Sequence, residues 1–436
     1  MGAKTKNKKI NIVSLGCSKN LIDSETLMSQ LSANGFYVTF ENNSAADFVI
    51  VNTCGFINEA KKESVDTILQ FAKEKESGLI KGLFVMGCLS ERYKKELIKE
   101  IPDVDQYFGV NSIPEIIKCL GGDYRSDLTG ERLITTPSHF AYLKISEGCN
   151  RKCSFCIIPA IRGKYRSQPI DQLVRETEKL ASKGVKELIL IAQDLSYYGR
   201  DLNNRNGLAF LLERLSAING IEWIRLHYLY PSGLPAEVLK SINDNPKICK
   251  YIDLPVQHIN NRILRSMQRG YSKKQIIRLI EKIRNEIPGV ALRTTLIVGF
   301  PGETHEEFKE LYDFIGTYKF DRLGVFSYSH EEGTKAYTNH DNVPSQIKRE
   351  RLEKIMELQQ SISLNLNLNK TGKSFKTIID RKEGEYYIGR TEFDSPEIDN
   401  EVLIKSTKRK LSLGAFYQVE IFKAECFDLF GNISQF

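Results

Sequence analysis

The sequence predicts an α/β protein in three parts: a doubly wound α/β domain, a partial (β/α)6 barrel and a small OB-like β-barrel. Three observations carry this. Through about residue 120, short apolar runs ending at glycine alternate with amphipathic helical patterns, as buried parallel strands and their crossover helices do. The alternation resumes with longer units to about residue 345. Beyond residue 370 it gives way to short strand patterns around turn residues, which suits a small all-β module.

The first domain is placed at 8–122. Its strands are KINIVSLGC, ADFVIVNTCG and GLIKGLFVMGC, and NLIDSETLMSQLSANG between the first two is an amphipathic helix with Gly35 at its C-cap. The stretch 121–137 has the Gly, Asp and Pro content of a linker. The second domain, 135–367, offers six strands: AYLKISEG, KELILIAQD, EWIRLHYLY, YIDLPVQH, ALRTTLIVGF and RLGVFSYS. PIDQLVRETEKLASKG and PGETHEEFKELYDFIG read as helices between them. Six units are fewer than the eight of a closed barrel, so an open side that admits a large substrate is expected. A charged helix from Ser345 to Leu368 ends this part. The third domain, 368–436, reads as a hairpin around Glu383-Gly384 followed by EVLIKS and AFYQVEIFKAECFDLFG.

An apolar fraction of 41% and a charged fraction of 27% describe a soluble globular chain. No run approaches the roughly 18–20 apolar residues that span a bilayer. The start, MGAKTKNKK, has no apolar core of a secretory signal, and Lys6 stands where myristoylation needs Ser or Thr. A cytoplasmic protein without a membrane partner is expected. The net charge of +7 includes four lysines in the first nine residues, which read as a solvated arm rather than a nucleic-acid contact. Nine cysteines in a reducing compartment point to metal binding or catalysis rather than disulfides.

Two constellations carry the chemistry. EGCNRKCSFC sets Cys149, Cys153 and Cys156 at spacing C-x3-C-x2-C just after a strand. An electron-carrying 4Fe–4S cluster takes four cysteines; three leave one iron open, as a catalytic centre requires. A zinc knuckle is the alternative, but it needs a fourth ligand and none follows nearby. Cys17, Cys54 and Cys88 each stand beside a glycine at the end of a predicted parallel strand, in GCSKN, NTCGF and MGCLS. Ligands of open α/β sheets bind beyond the carboxyl ends of the strands, so these thiols should converge on a second three-ligand cluster. Any one of them alone would read as a buried core thiol. Cys119, Cys249 and Cys426 lack such a pattern and read as structural.

C-x3-C-x-aromatic-C, with Phe155 before the last cysteine, resembles the radical S-adenosylmethionine superfamily. The resemblance implies that the open iron chelates S-adenosylmethionine and that one electron cleaves it to a 5′-deoxyadenosyl radical. Two open clusters followed by a small β-domain resemble the methylthiotransferase family over nearly the whole chain. That implies two 4Fe–4S clusters, S-adenosylmethionine, a sulfur-carrying first cluster and a terminal TRAM domain. GCSKNLIDSE, NTCGFINEAKKES, the segment from AYLKISEGC to GKYRS, IDLPVQH and IGRTEFDSPEID are similar to the RimO branch. Its members methylthiolate the β-carbon of an aspartate in ribosomal protein twelve of the small subunit. The implied partner is therefore a ribosomal protein on or near the small subunit, with a peripheral contact to ribosomal RNA allowed. A sulfur donor and a reductant are implied without a sequence signature for either. The alternatives are a MiaB-like tRNA adenosine methylthiotransferase and a non-catalytic iron–sulfur, RNA-binding module.

From Lys370 to the end there are 11 Lys and Arg against 11 Asp and Glu. This near-neutral balance, with the acidic run EFDSPEIDNE, suits a basic protein partner better than phosphate. By the resemblance, Phe155, Gln193, Asp194, Gln257, His258 and Arg293 are the candidate S-adenosylmethionine contacts, with Thr295 beside Arg293; His258 could equally be a core histidine. VGFPGET lacks the Lys of a phosphate loop, and TGKS has Asn367 where its first Gly belongs, so nucleotide hydrolysis is not expected.

Overall fold

The computed structural model describes residues 8–42, 46–204, 206–406 and 410–434. Most of the lysine-rich start, including Lys4 and Lys6, lies outside the described residues. The chain divides into two compact units. The first comprises residues 1–136, 142–151 and 156–179; the second comprises 137–141, 152–155 and 180–436.

In the first unit, five parallel strands lie in the order Tyr37–Phe40, Lys9–Ser14, Phe48–Thr53, Gly82–Gly87, Gln106–Tyr107. Alternation along each strand sends side chains to opposite faces. Ile10, Ile12, Ile50, Phe84 and Met86 pack with Leu27, Leu31, Ile116 and Ile117 on one face. Val49, Val51, Leu83 and Val85 pack with Ile68, Ala72, Leu89 and Leu97 on the other. Two separate cores on one sheet make the domain doubly wound, and the strand order reverses between Lys9–Ser14 and Phe48–Thr53. The switch point where ligands bind such sheets is therefore at the ends of those two strands.

The 121–137 stretch is irregular apart from one turn of 3-10 helix, Ser126–Leu128, but it is no free linker. Arg132 is buried and donates to Glu25 at 2.6 Å, to Glu176 at 2.9 Å and to the Tyr142 carbonyl at 2.6 Å. Gln30 and Asn34 hold the carbonyls of Arg125 and Asp123.

In the second unit, the strands Glu187–Ile191, Trp223–Leu226, Ile248–Asp253, Ala291–Val298 and Arg322–Ser327 pair in sequence and in parallel. With Phe140–Lys144 at the edge they form an open six-stranded sheet, matching the six expected units. The helix predicted over 345–368 is Ser345–Leu368. The strands Ser374–Glu383, Tyr386–Thr391, Glu401–Lys405, Asp428–Ile433 and Phe416–Ala424 close into a five-stranded barrel, and the expected hairpin turns at Gly384.

The small barrel groups with the second unit instead of standing alone, and buried charge explains why. Glu187, the first residue of its strand and fully buried, accepts from Arg225 and Arg390, each at 2.8 Å. Arg390 also grips Asp380, which meets His139 at 2.8 Å. Arg322 pairs with Asp394. Around these ions Trp223, Tyr251 and Ala291 pack against Ile378, Phe393 and Phe416. The barrel thus sits on the strand starts, where conservation of structure and not chemistry is the usual role.

This corrects the charge reading of the acidic run. Asp394 is buried on Arg322 and Thr391. Asp399 accepts from Tyr251 at 2.7 Å, Glu392 accepts from the Lys250 amide, and Glu401 is bidentate to Arg381. Of its five carboxylates, these four are committed within the chain, so the run offers no broad acidic face to a basic partner. A charge count cannot see which side chains turn inward.

Candidate functional site

The strand-end cysteines emerge where the sequence places them. Cys17 is the N-cap of helix Ser18–Ala33, Cys54 follows Phe48–Thr53, and Cys88 opens helix Cys88–Glu100. Two of the three therefore lie at helix N-termini, whose partial positive charge favours thiolate. The glycines beside them set the spacing. A Cβ on Gly16 would lie 2.6 Å from Cys54 Cβ and 2.9 Å from its Sγ; one on Gly55 would lie 2.7 Å from Leu89 backbone and 2.9 Å from Cys88 carbonyl carbon. Each loop can approach the next only because these residues have no side chain.

Gly16 also has φ +89°. Gly16→Ala is therefore expected to cost about 1–3 kcal/mol through overpacking and backbone strain and to halve the iron retained. Denaturation midpoint and iron per chain check this; an alanine variant with native stability and native iron would refute the packing argument.

Polar residues brace the triad. Asn20 Nδ2 donates to the carbonyls of Leu15 and Thr53, at 2.9 and 3.0 Å, and Ser64 Oγ bonds both the amide and the carbonyl of Cys54. Burial pushes the Cys54 thiol up and pushes Cys88 to about 12, the latter opposed by Arg162. Arg162, from helix Ile158–Arg162, is itself buried and approaches Cys88 Sγ at 3.6 Å. Its other partners are Asn20 Oδ1 at 2.6 Å, Asp23 and Glu147. Lys144 bridges the same two carboxylates. Burial opposes the charge of Lys144, yet Asp23 and Glu147 outweigh it and raise its pKa. The donor set suits a thiolate-held cluster: three thiols at the carboxyl ends of neighbouring strands, with a cation beside one of them.

Within the same unit Cys88 shares a hydrophobic cluster with Val110, Ile157 and Ile161. Ile157 is the residue after Cys156, so the strand-end triad lies against the segment that leaves the second one.

The second triad occupies the loop after Ser146–Glu147. Cys149 is buried; its amide donates to the Gly163 carbonyl at 3.1 Å and its Sγ faces the Arg151 amide at 3.4 Å. Cys149 and Cys156 group with the first unit and Cys153 with the second. Arg269 Nη1 donates to Cys153 Sγ at 3.1 Å. Ser154 is tied to the Met267 and Ser266 carbonyls. Among the described residues no three His, Cys, Asp or Glu converge as a site for a single metal ion.

The remaining candidates separate. Phe155 packs with Ile263, Met267, Phe300 and Tyr328. Gln193 and Asp194 lie just past Glu187–Ile191, with Asp194 buried. Gln257, at φ +66°, bonds through its backbone to Thr295 and Ile297. His258 is fully buried, and desolvation lowers its pKa to about 3. Its Nδ1 accepts from the Asn260 amide at 3.0 Å and its Nε2 lies 3.9 Å from Glu303. Arg293 does not join the others: its guanidinium is held by Asp253 at 3.4 Å and by Asp399 of the small barrel at 3.6 Å, at the domain junction.

Sequence reasoning gave no role to Arg162, Arg269, Asn20 or the pair Asp23 and Glu147. The Arg162 segment IIPAIRG stands six residues beyond Cys156, a proximity that could have flagged it; Arg269 carries no local signal.

A model of the Radical SAM superfamily matches residues 143–315, the uncharacterised protein family UPF0004 matches 9–109, and the TRAM domain matches 371–433. The chain is 55% identical over 429 residues to "Ribosomal protein uS12 methylthiotransferase RimO" of Flavobacterium johnsoniae, covering 98% of each. It is 51% identical to the protein of that name from Cytophaga hutchinsonii, covering 99% of this chain and 100% of that one. Among solved structures, the radical S-adenosylmethionine methyltransferase TsrM from Kitasatospora setae superposes with TM-score 0.54 at 15% identity, over 74% of this chain and 75% of that one. The cobalamin-dependent radical enzyme OxsB does so with TM-score 0.52 at 14% identity, over 80% and 56%. These two likenesses bear on the fold.

Proposed function

The chain belongs to the RimO family of ribosomal protein uS12 methylthiotransferases, and on that premise we propose that it converts an aspartyl residue of uS12 to its 3-methylthio derivative. It is a radical S-adenosylmethionine enzyme that uses S-adenosylmethionine and 4Fe–4S clusters. In our reading Cys149, Cys153 and Cys156 hold the radical-generating cluster, and Cys17, Cys54 and Cys88 hold the sulfur-carrying one. A 4Fe–4S cluster bound by Cys149, Cys153 and Cys156 would supply the electron that cleaves S-adenosylmethionine.

The observation that carries this reading is the packing of Cys88 against Ile157 and Ile161. A reaction that abstracts hydrogen from one carbon and delivers sulfur to the same carbon needs both centres at one place. Here a ligand of one triad touches the residue next to a ligand of the other. Phe155 and its apolar neighbours form one wall beside the loop, of the kind radical chemistry needs. Gln193, Asp194 and Gln257 follow the carboxyl ends of strands, and in this reading they would hold S-adenosylmethionine. Arg293 and His258 are left to structure. The protein acts in the cytoplasm on a ribosomal protein, and any contact with ribosomal RNA is secondary to that docking.

Anaerobic reconstitution should give about eight irons per chain, as two 4Fe–4S clusters require; four or fewer would remove the carrier cluster. Mass spectrometry of uS12 and tRNA from a strain lacking this gene tests the substrate. Loss of the methylthio mass from the aspartate of uS12 is expected, whereas loss from tRNA with uS12 unaltered would overturn the assignment.

A further inference from the structure

Arg269 follows helix Asn261–Ser266 and is 5% exposed. All three guanidinium nitrogens are fixed. Nε donates to the Tyr271 hydroxyl at 2.6 Å, Nη2 to the Pro255 carbonyl at 2.6 Å, and Nη1 to Cys153 Sγ at 3.1 Å. The guanidinium carbon lies 4.3 Å from the ring centre of Tyr230 and 5.3 Å from that of Tyr271. Tyr230 closes the arrangement, because its hydroxyl donates to the Arg269 carbonyl and stands 4.0 Å from Cys153 Sγ.

What sets Arg269 apart is the company it lacks. The buried Arg132, Arg162, Arg225, Arg322, Arg351 and Arg390 each meet a carboxylate. Among the described residues Arg269 has no carboxylate within ion-pair distance; its partners are a hydroxyl, a carbonyl and a cysteine sulfur. A guanidinium without a counter-charge is too costly to bury. The balancing negative charge must therefore reach it through Cys153.

We propose that Arg269 is the fixed counter-charge of the iron–sulfur cluster held by Cys153 and sets that cluster's reduction potential. The inference rests on the cluster assignment above. Reduction adds one negative charge to the cluster, and a cation with an N–H directed at a ligand sulfur favours that state. The aromatic faces and the Pro255 carbonyl hold the guanidinium in place beforehand, a geometry that suits a planar fork better than an ammonium. Arg162 stands near Cys88 in a similar way, but Asp23 and Glu147 already compensate it. The two clusters are thus biased differently, the radical-generating one towards its reduced form.

The test is a redox titration of the reconstituted full-length enzyme, followed by the paramagnetic signal that changes when S-adenosylmethionine is added. In Arg269→Gln, the ratio of reduced to oxidised cluster at a fixed potential should fall about tenfold, a shift of about 59 mV for a one-electron couple. In Arg269→Lys it should stay within about threefold of the native ratio. An unchanged or raised ratio in Arg269→Gln overturns the proposal, even if affinity for S-adenosylmethionine falls. Should Arg269→Gln lose the cluster, Arg269→Lys decides. A ratio within threefold supports the proposal, and a larger fall or loss of the cluster assigns Arg269 to packing. Failure of the cluster assignment itself would look different, because the native enzyme would then show no signal responsive to S-adenosylmethionine.

Discussion

Cys88→Ala is expected to lower the iron content from about eight to about four per chain and to abolish methylthio transfer, while reductive cleavage of S-adenosylmethionine persists. Cys88 is one of the three thiols proposed for the carrier site; it is buried, and its Sγ lies 3.7 Å from Asn20 Oδ1. The variant keeps a small apolar side chain at the first position of helix Cys88–Glu100, so the doubly wound sheet should still fold. It removes the sulfur that faces Arg162 at 3.6 Å, but Asp23 and Glu147 continue to hold that guanidinium. Iron analysis, 5′-deoxyadenosine release and the mass of the modified peptide are read together. A variant that keeps eight irons and still methylthiolates its substrate would sink the carrier assignment.

Glu187→Gln should be the most destabilising single change outside the two triads, by about 3–5 kcal/mol, because it leaves buried positive charge without its partner. Glu187 joins Arg225 of the sheet to Arg390 of the small barrel. Burial alone would raise its pKa, but Arg390 and Arg225 more than reverse this and hold the carboxyl below the usual 4.5. A lowered folded-state pKa means stability that is present above the unfolded value and lost as pH falls through the folded one. This contribution is therefore complete at neutral pH and declines once pH drops below about 4.5. Trp223, the single tryptophan, reports on this junction, with its ring 4.8 Å from that of Phe416 of the small barrel. Its fluorescence should change at lower denaturant in Glu187→Gln than in the native chain at pH 7, and the gap should narrow under acid conditions. Coincident transitions at pH 7 would show that the ion cluster is not what binds the barrel.

Both expectations turn on buried charge, and buried charge marks where the sequence stopped being legible. The three strand-end cysteines could be placed directly, since an apolar run followed by a cysteine beside a glycine recurs three times and a parallel sheet brings equivalent strand ends together. The Cys149, Cys153 and Cys156 triad was local as well, contained in eight residues. The helix Ser345–Leu368 and the hairpin at Gly384 followed from charge pattern and turn chemistry.

Arg269 lies 116 residues from Cys153, and Arg162 lies 74 from Cys88. No periodicity links such pairs. The acidic run was misjudged for the same reason, because a carboxylate on a surface and one closed over Arg322 have the same sequence. Spacing and periodicity decide backbone form and the ligands that one loop or sheet edge presents, because these depend on near neighbours. Which charges are buried, and against what, depends on desolvation offset by partners brought from far along the chain, and only the folded molecule assembles those.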